Sequence, residues 1–145
     1  MTFTPNQQKA IAIRDQTVLV SASAGSGKTR VLVQRVLERL LAGDDIDRFL
    51  IVTFTEAAAS EMKERLEKAI RSALRENNAD RRHLLRQLRL LNVANISTLH
   101  AFALRLIEQY HYAINLDPQF RLLADTAEST LLRLEVYETL IEEMY

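Results

Sequence analysis

The chain has 145 residues and 16.6 kDa, and its 19 Lys+Arg balance 19 Asp+Glu to a formal net charge of zero. That is one domain's length, and 48% hydrophobic residues with only 3 Gly and 2 Pro exclude collagen-like, low-complexity and disordered classes. The absence of Cys excludes disulfides, thiolate metal sites and Cys nucleophiles, and the apolar stretches are far too short to span a membrane.

In chain order, the start Met1-Thr2-Phe3-Thr4-Pro5-Asn6-Gln7 lacks the basic and apolar regions of a secretory signal, which points to a reducing cytoplasm. Thr17-Val18-Leu19-Val20-Ser21 reads as a first strand. Val31, Leu32, Val36, Leu37, Leu40 and Leu41 recur at helical spacing until Gly43 stops the pattern. The nearly continuous apolar run from Phe49 to Phe54 reads as a second strand, buried on both faces of a parallel sheet. Strand, helix and strand in that order predict a right-handed crossover.

Two helices are then expected, Glu56 to Glu76 and Asp80 to Leu91, with a turn at Asn77-Asn78-Ala79-Asp80. A weaker strand, Ala94 to Thr98, leads into a helix from Leu99 to Tyr112. Asp125, with Glu128 three residues on, has capping-box spacing and opens the last helix. The class predicted is α/β with parallel strands.

The zero net charge conceals a gradient. Residues 1–60 sum to +1, residues 61–105 to +5 and residues 106–145 to −6. Screening acts within about 10 Å, so a basic middle and an acidic tail do not cancel at the surface. The basic block from Lys63 to Arg89 suits either a DNA path or a solvated helix face. Glu61 with Arg65, and Glu64 with Lys68, have the spacing of helical ion pairs.

The strongest chemical signal lies between the first strand and first helix: Ala22-Ser23-Ala24-Gly25-Ser26-Gly27-Lys28-Thr29. It matches the phosphate loop G-x-x-x-x-G-K-[ST] except that Ala22 replaces the first Gly. Gly25 and Gly27 permit positive φ, so backbone N–H groups can approach phosphate oxygens, and a helix N-terminus faces the same point. In such a loop Lys28 reaches the β- and γ-phosphates, and Thr29 holds Mg²⁺. The pattern is that of a purine nucleoside triphosphate site, with ATP and Mg²⁺ as expected cofactors. No G-x-G-x-x-G dinucleotide fingerprint is present.

The segment Ser21 to Leu32 resembles motif I of UvrD-like superfamily 1 DNA helicases, in which the first loop Gly is commonly Ala. Phe3 to Ile11 resembles the family's Q motif, Val52 to Leu66 its motif Ia, and Ile96 to Phe102 the following T-x-H-x-[FL] motif. Asp117 to Asp125 and the Leu/Glu-rich stretch after it are most similar to the AddA-type chains of the AddAB (RexAB-type) helicase–nucleases. The resemblance implies a partial P-loop NTPase (RecA-like) domain over residues 1–105 and the start of a helical insertion over residues 106–145.

The resemblance also implies residue roles. Gln7 would read the adenine edge, and residues 22–29 with Arg30 would hold the nucleotide. Phe54 would stack on a DNA base, and Thr55, Thr98 and His100 would line the same single-strand path. Read without the family, Phe54 suits a core aromatic, His100 a local helix-start hydrogen bond and Arg30 a solvated position. His83 and His111 read as structural or surface residues.

The implied partners are single- and double-stranded DNA and a second, AddB/RexB-like subunit, with no membrane. An apolar strand ending in Asp-Glu, which would supply the Mg²⁺-holding acid, is not seen in the sequence. The expectation is therefore an N-terminal portion of a larger enzyme, holding nucleotide weakly and not unwinding DNA alone. The alternatives are a small P-loop nucleotide kinase and a non-catalytic nucleotide-binding interaction module.

Overall fold

Thr4 and Gln7 open the first helix by capping each other: the Thr4 hydroxyl accepts from the Gln7 N–H, and Gln7 Oε1 accepts from the Thr4 N–H at 2.9 Å. With Pro5 at the first helical position, this capping box starts α1 (Pro5–Ala12), a helix the apolar pattern alone does not announce. The computed structural model describes residues 2–23, 25–76, 80–123 and 126–144. They fall into two units, Met1–Leu104 and Arg105–Tyr145.

In the first unit α1 packs on α2 (Lys28–Leu41), and Arg35 of α2 donates to the carbonyls of Ala10 and Ile11 at the end of α1. Gly43, with φ +102°, turns the chain out of α2 into a short 3-10 turn, Ile46–Arg48. There follow β1 (Leu50–Thr53), α3 (Glu56–Ala73), α4 (Arg81–Leu90) and β2 (Asn95–Thr98). Thr55 and Asp80 cap α3 and α4 by accepting backbone N–H bonds at 3.1 Å.

The strands β1 and β2 are parallel, pairing Leu50 with Asn95 through Thr53 with Thr98. Met62, Leu66, Ile70 and Ala73 of α3 join Val36, Leu37 and Leu40 of α2, Leu84 of α4, and Ile51 and Ile96 of the strands in one core. Each fully buried aliphatic side chain there contributes about 1.5–3 kcal/mol. Gln87 is fully buried although polar, as Ser97 and Thr98 nearly are. Gln87 accepts from the Ile46 N–H at 2.8 Å and donates to Asp45 at 2.6 Å, which fastens α4 to the turn that feeds β1.

Two expectations about the sheet change. Thr17–Ser21 forms no strand: among the described residues nothing pairs with it, and Leu19 is 93% exposed. A β-rich composition does not make a strand without a neighbour to complete the ladder. The segment borders a hollow of about 300 Å³ lined by Ala10, Val18, Val20, Val31 and Leu32 together with Lys28 and Arg35. The parallel crossover is therefore β1–α3–α4–β2, not one built around α2. In β1, Ile51 is buried while Leu50 and Val52 are exposed, so one face is covered where burial of both was expected.

The helices lie close to their predicted spans, although Leu32 and Leu41 of α2 are exposed. α5 (Leu99–Tyr110) is shorter than expected and ends in a 3-10 turn, His111–Ile114, which Asn115 terminates with φ +52°. The predicted turn residues Asn77, Asn78 and Ala79, and the capping residue Asp125, lie outside the described residues.

In the second unit, Asp117 accepts from the Gln119 N–H at 2.7 Å in a tight turn. α6 (Thr126–Met144) follows and has no buried residue. No described helix is long and apolar enough to cross a membrane.

Candidate nucleotide and nucleic-acid sites

The segment before α2 is a loop closed on itself by its own polar groups. Gly25 has φ +76° and Gly27 φ +84°, in the left-handed region where a Cβ is strained, which is the physical reason for both glycines. Ala22 replaces the usual Gly without strain, because positive φ outside glycine occurs only at Asp15 and Asn115 among the described residues. The Ser26 N–H and Oγ both bond to the Ser23 carbonyl, at 3.3 and 2.7 Å. Ala24 lies outside the described residues.

Lys28, the first residue of α2, curls back and donates from Nζ to the carbonyls of Ala22 at 2.5 Å and Ser23 at 2.8 Å. Gln7 Nε2 donates to the Ser26 carbonyl at 3.1 Å, so α1 is tied to the loop.

A hollow of about 540 Å³ opens beside the loop, lined by Gly25, Gly27, Lys28, Thr29, Arg30 and Arg65. Its charged side chains are all cations and its hydroxyl comes from Thr29, at the positive end of α2. This donor-rich set suits a polyphosphate anion. Arg65 is the member that sequence reading missed. It forms the predicted ion pair with Glu61 at 2.5 Å and still lines the hollow, because α3 packs on α2. Nothing in the local sequence connects residue 65 to residue 28. Arg30 lies 4.4 Å from the centroid of the Phe3 ring, a cation–π contact that joins the chain start to the loop.

The second candidate site is the carboxyl edge of the parallel pair, where open α/β folds place ligands. Since Thr53 pairs with Thr98, the residues that follow each strand emerge at the same end. Phe54 is 102% exposed, so the core-aromatic reading does not describe it. Thr55 is exposed, with its hydroxyl capping α3.

Thr98 is different, at 8% exposure. Its hydroxyl donates to Glu56 Oε1 at 2.7 Å and accepts from the Ala101 N–H at 3.2 Å, which locks the start of α3 to the start of α5. His100 is exposed in the first turn of α5. His83 is structural: its Nε2 lies 3.2 Å from the Asp44 carbonyl and its Nδ1 3.4 Å from the Gln87 amide. His111 lies 3.1 Å from the Glu108 carbonyl.

The glycine-hinged loop, the cationic hollow and the parallel strands define an α/β protein of the P-loop NTPase class, of which this chain carries a part. The profile of the family described as "UvrD/REP helicase N-terminal domain" matches residues 3–144, and the chain belongs to that family. Similar proteins include the A-subunits of the ATP-dependent helicase/nucleases of Ligilactobacillus salivarius, 55% identical over 145 residues, and Levilactobacillus brevis, 57% identical over 147 residues. That of Enterococcus faecalis is 53% identical over 145 residues. In each case the match covers 99% of this chain and 12% of the relative, so the chain spans about an eighth of their length.

Proposed function

We propose that this chain is the ATP-binding and single-strand-contacting N-terminal part of an AddA-type ATP-dependent DNA helicase/nuclease, acting in the cytoplasm in double-strand-break repair and recombination. The observation that carries the reading is Lys28, held by two loop carbonyls at the positive end of α2 and facing a hollow lined by further cations. Lys28 is the proposed catalytic residue. A triphosphate entering the loop would take over its ammonium from the Ala22 and Ser23 carbonyls, and backbone N–H groups of the loop would serve as further phosphate donors.

The Thr29 hydroxyl is the proposed Mg²⁺ ligand, and Arg65 supplies a further cation on the phosphate side. Gln7 retains one amide hydrogen and one carbonyl lone pair beyond its bonds to Ser26 and Thr4, the pair needed to read an adenine edge. Arg30, with Phe3 behind it, flanks the nucleotide. Hydrolysis of ATP supplies the free energy for movement in the intact enzyme, whose nuclease activity and second subunit lie outside this chain.

On the DNA side, Phe54 offers a bare ring for base stacking. Thr55 follows it in the chain and His100 follows the paired strand at the same end, while Thr98 holds the edge in shape through Glu56 and Ala101. Two crosslinking measurements test the proposal together. An azido-ATP probe is expected to label the loop, and a photoreactive single strand is expected to label the Phe54 edge. Nucleotide labelling without DNA labelling would support a non-catalytic nucleotide-binding module. Phosphoryl transfer to a nucleoside monophosphate would support a small kinase.

A further inference from the structure

The basic residues in the middle of the chain fall on two helices that treat their charge differently. On α3, Arg65 pairs with Glu61 at 2.5 Å and Arg71 with Glu67 at 2.7 Å. On α4 there is no acidic residue, and Arg81, Arg82, Arg86 and Arg89 are all exposed. Arg86 reaches Asp45 at 3.1 Å. Arg81, Arg82 and Arg89 form no ion pair among the described residues.

At about 100° per residue, Arg82, Arg86 and Arg89 (i, i+4, i+7) form one ridge roughly 10 Å long, opposite the buried side of Leu84 and Gln87.

This ridge breaks two local rules. Arg81 and Arg82 stand in the first turn, where the helix dipole is itself positive and the single carboxylate of Asp80 is already engaged as the cap. Arg82 and Arg86 are like charges at i,i+4, which repel. Local choices that oppose the element carrying them mark functional surfaces, since an external anion reverses both penalties.

The form of the ridge also selects the anion. Guanidinium forks match phosphate oxygens. Residues 55–101 contain no Phe, Tyr or Trp on which unpaired bases could stack. Phosphate contact without stacking is the mode of duplex binding. The ridge is also separate from the first DNA edge. Gln87 ties α4 to the turn before β1, at the amino end of the strands, whereas Phe54 and Thr98 lie at the carboxyl end.

We infer that the arginine ridge of α4 is a second nucleic-acid surface, which grips the sugar–phosphate backbone of duplex DNA. The inference rests on the DNA-motor reading above and adds to it a contact that none of the family motifs covers.

The test is fluorescence anisotropy on the 145-residue chain, with a labelled blunt duplex of about 20 base pairs and a single strand of the same length, over a salt series. The double variant Arg82→Gln/Arg89→Gln leaves Arg86–Asp45 and the buried face untouched. Duplex affinity is expected to fall about tenfold or more, with the log–log salt slope reduced by roughly 2, while single-strand affinity stays within about twofold. Arg82→Lys/Arg89→Lys is expected to restore most of the duplex affinity.

No duplex binding by the parent chain, an unchanged slope in the double variant, or equal loss for both DNA forms overturns the inference. So does displacement by poly-glutamate as efficient as by unlabelled duplex, which would make the ridge a face for an acidic protein. Phe54→Ala separates the two levels. If it weakens single-strand binding while the arginine pair is silent, this inference alone fails; if both are silent, the DNA reading itself fails.

Discussion

The phosphate loop and the strand edge solve opposite problems within one unit. Around the loop, Lys28, Gln7 and Ser26 all donate to loop carbonyls. At the strand edge, the Thr55 and Thr98 hydroxyls serve as helix caps, and the Phe54 ring is left fully bare. A site for a highly charged ligand can be held ready by weak internal hydrogen bonds, because phosphate oxygens outcompete neutral carbonyls for an ammonium group. A site for a base needs exposed apolar surface, which nothing internal can occupy without burying it.

The comparison is sharpest where one side is removed and the other left alone. Lys28→Ala should weaken triphosphate binding by roughly 10- to 150-fold while leaving the melting temperature and single-strand affinity near parental values. Phe54→Ala should do the reverse, lowering single-strand affinity by about 5- to 150-fold in an anisotropy titration with nucleotide binding unchanged. If each substitution damaged both ligands equally, the two sites would be one.

Thr98→Val removes a buried cap and the bond to Glu56. It should cost about 1–2 kcal/mol of stability, read as a lower denaturation midpoint, with DNA affinity falling as the edge loosens. The smallest effect belongs to the second unit. There the Arg121 guanidinium, by hydrogen bonding and charge, holds the Glu128 carboxyl below the ordinary carboxylate range. A depressed folded value means that the pair stabilises above the unfolded carboxylate pKa and is lost as pH falls through the folded one. An NMR titration should therefore show Glu128 protonating below the ordinary carboxylate range, and Arg121→Gln should abolish that depression.

Much of this was legible in the residues. Gly25, Gly27 and Lys28 announce the loop because only glycine tolerates the left-handed backbone there, and the span of α2 follows from its apolar spacing. The capping box of Thr4 and Gln7 was equally readable as a helix start, although the family motif singles out Gln7 alone. The absence of a strand at Thr17–Ser21 was not legible, because strand composition is local whereas a ladder needs a neighbour. Arg65 at the loop and the inward turn of Thr98 were also hidden. Both depend on packing between elements 37 and 42 residues apart in sequence, Arg65 against Lys28 and Thr98 against Glu56.

The most direct test is calorimetric titration of the chain with MgATP, beside the same titration of Lys28→Ala. Saturable binding by the parent chain that disappears in a variant of unchanged circular dichroism is the predicted result. Equal affinity in the two proteins would contradict the assignment of this loop as the triphosphate site.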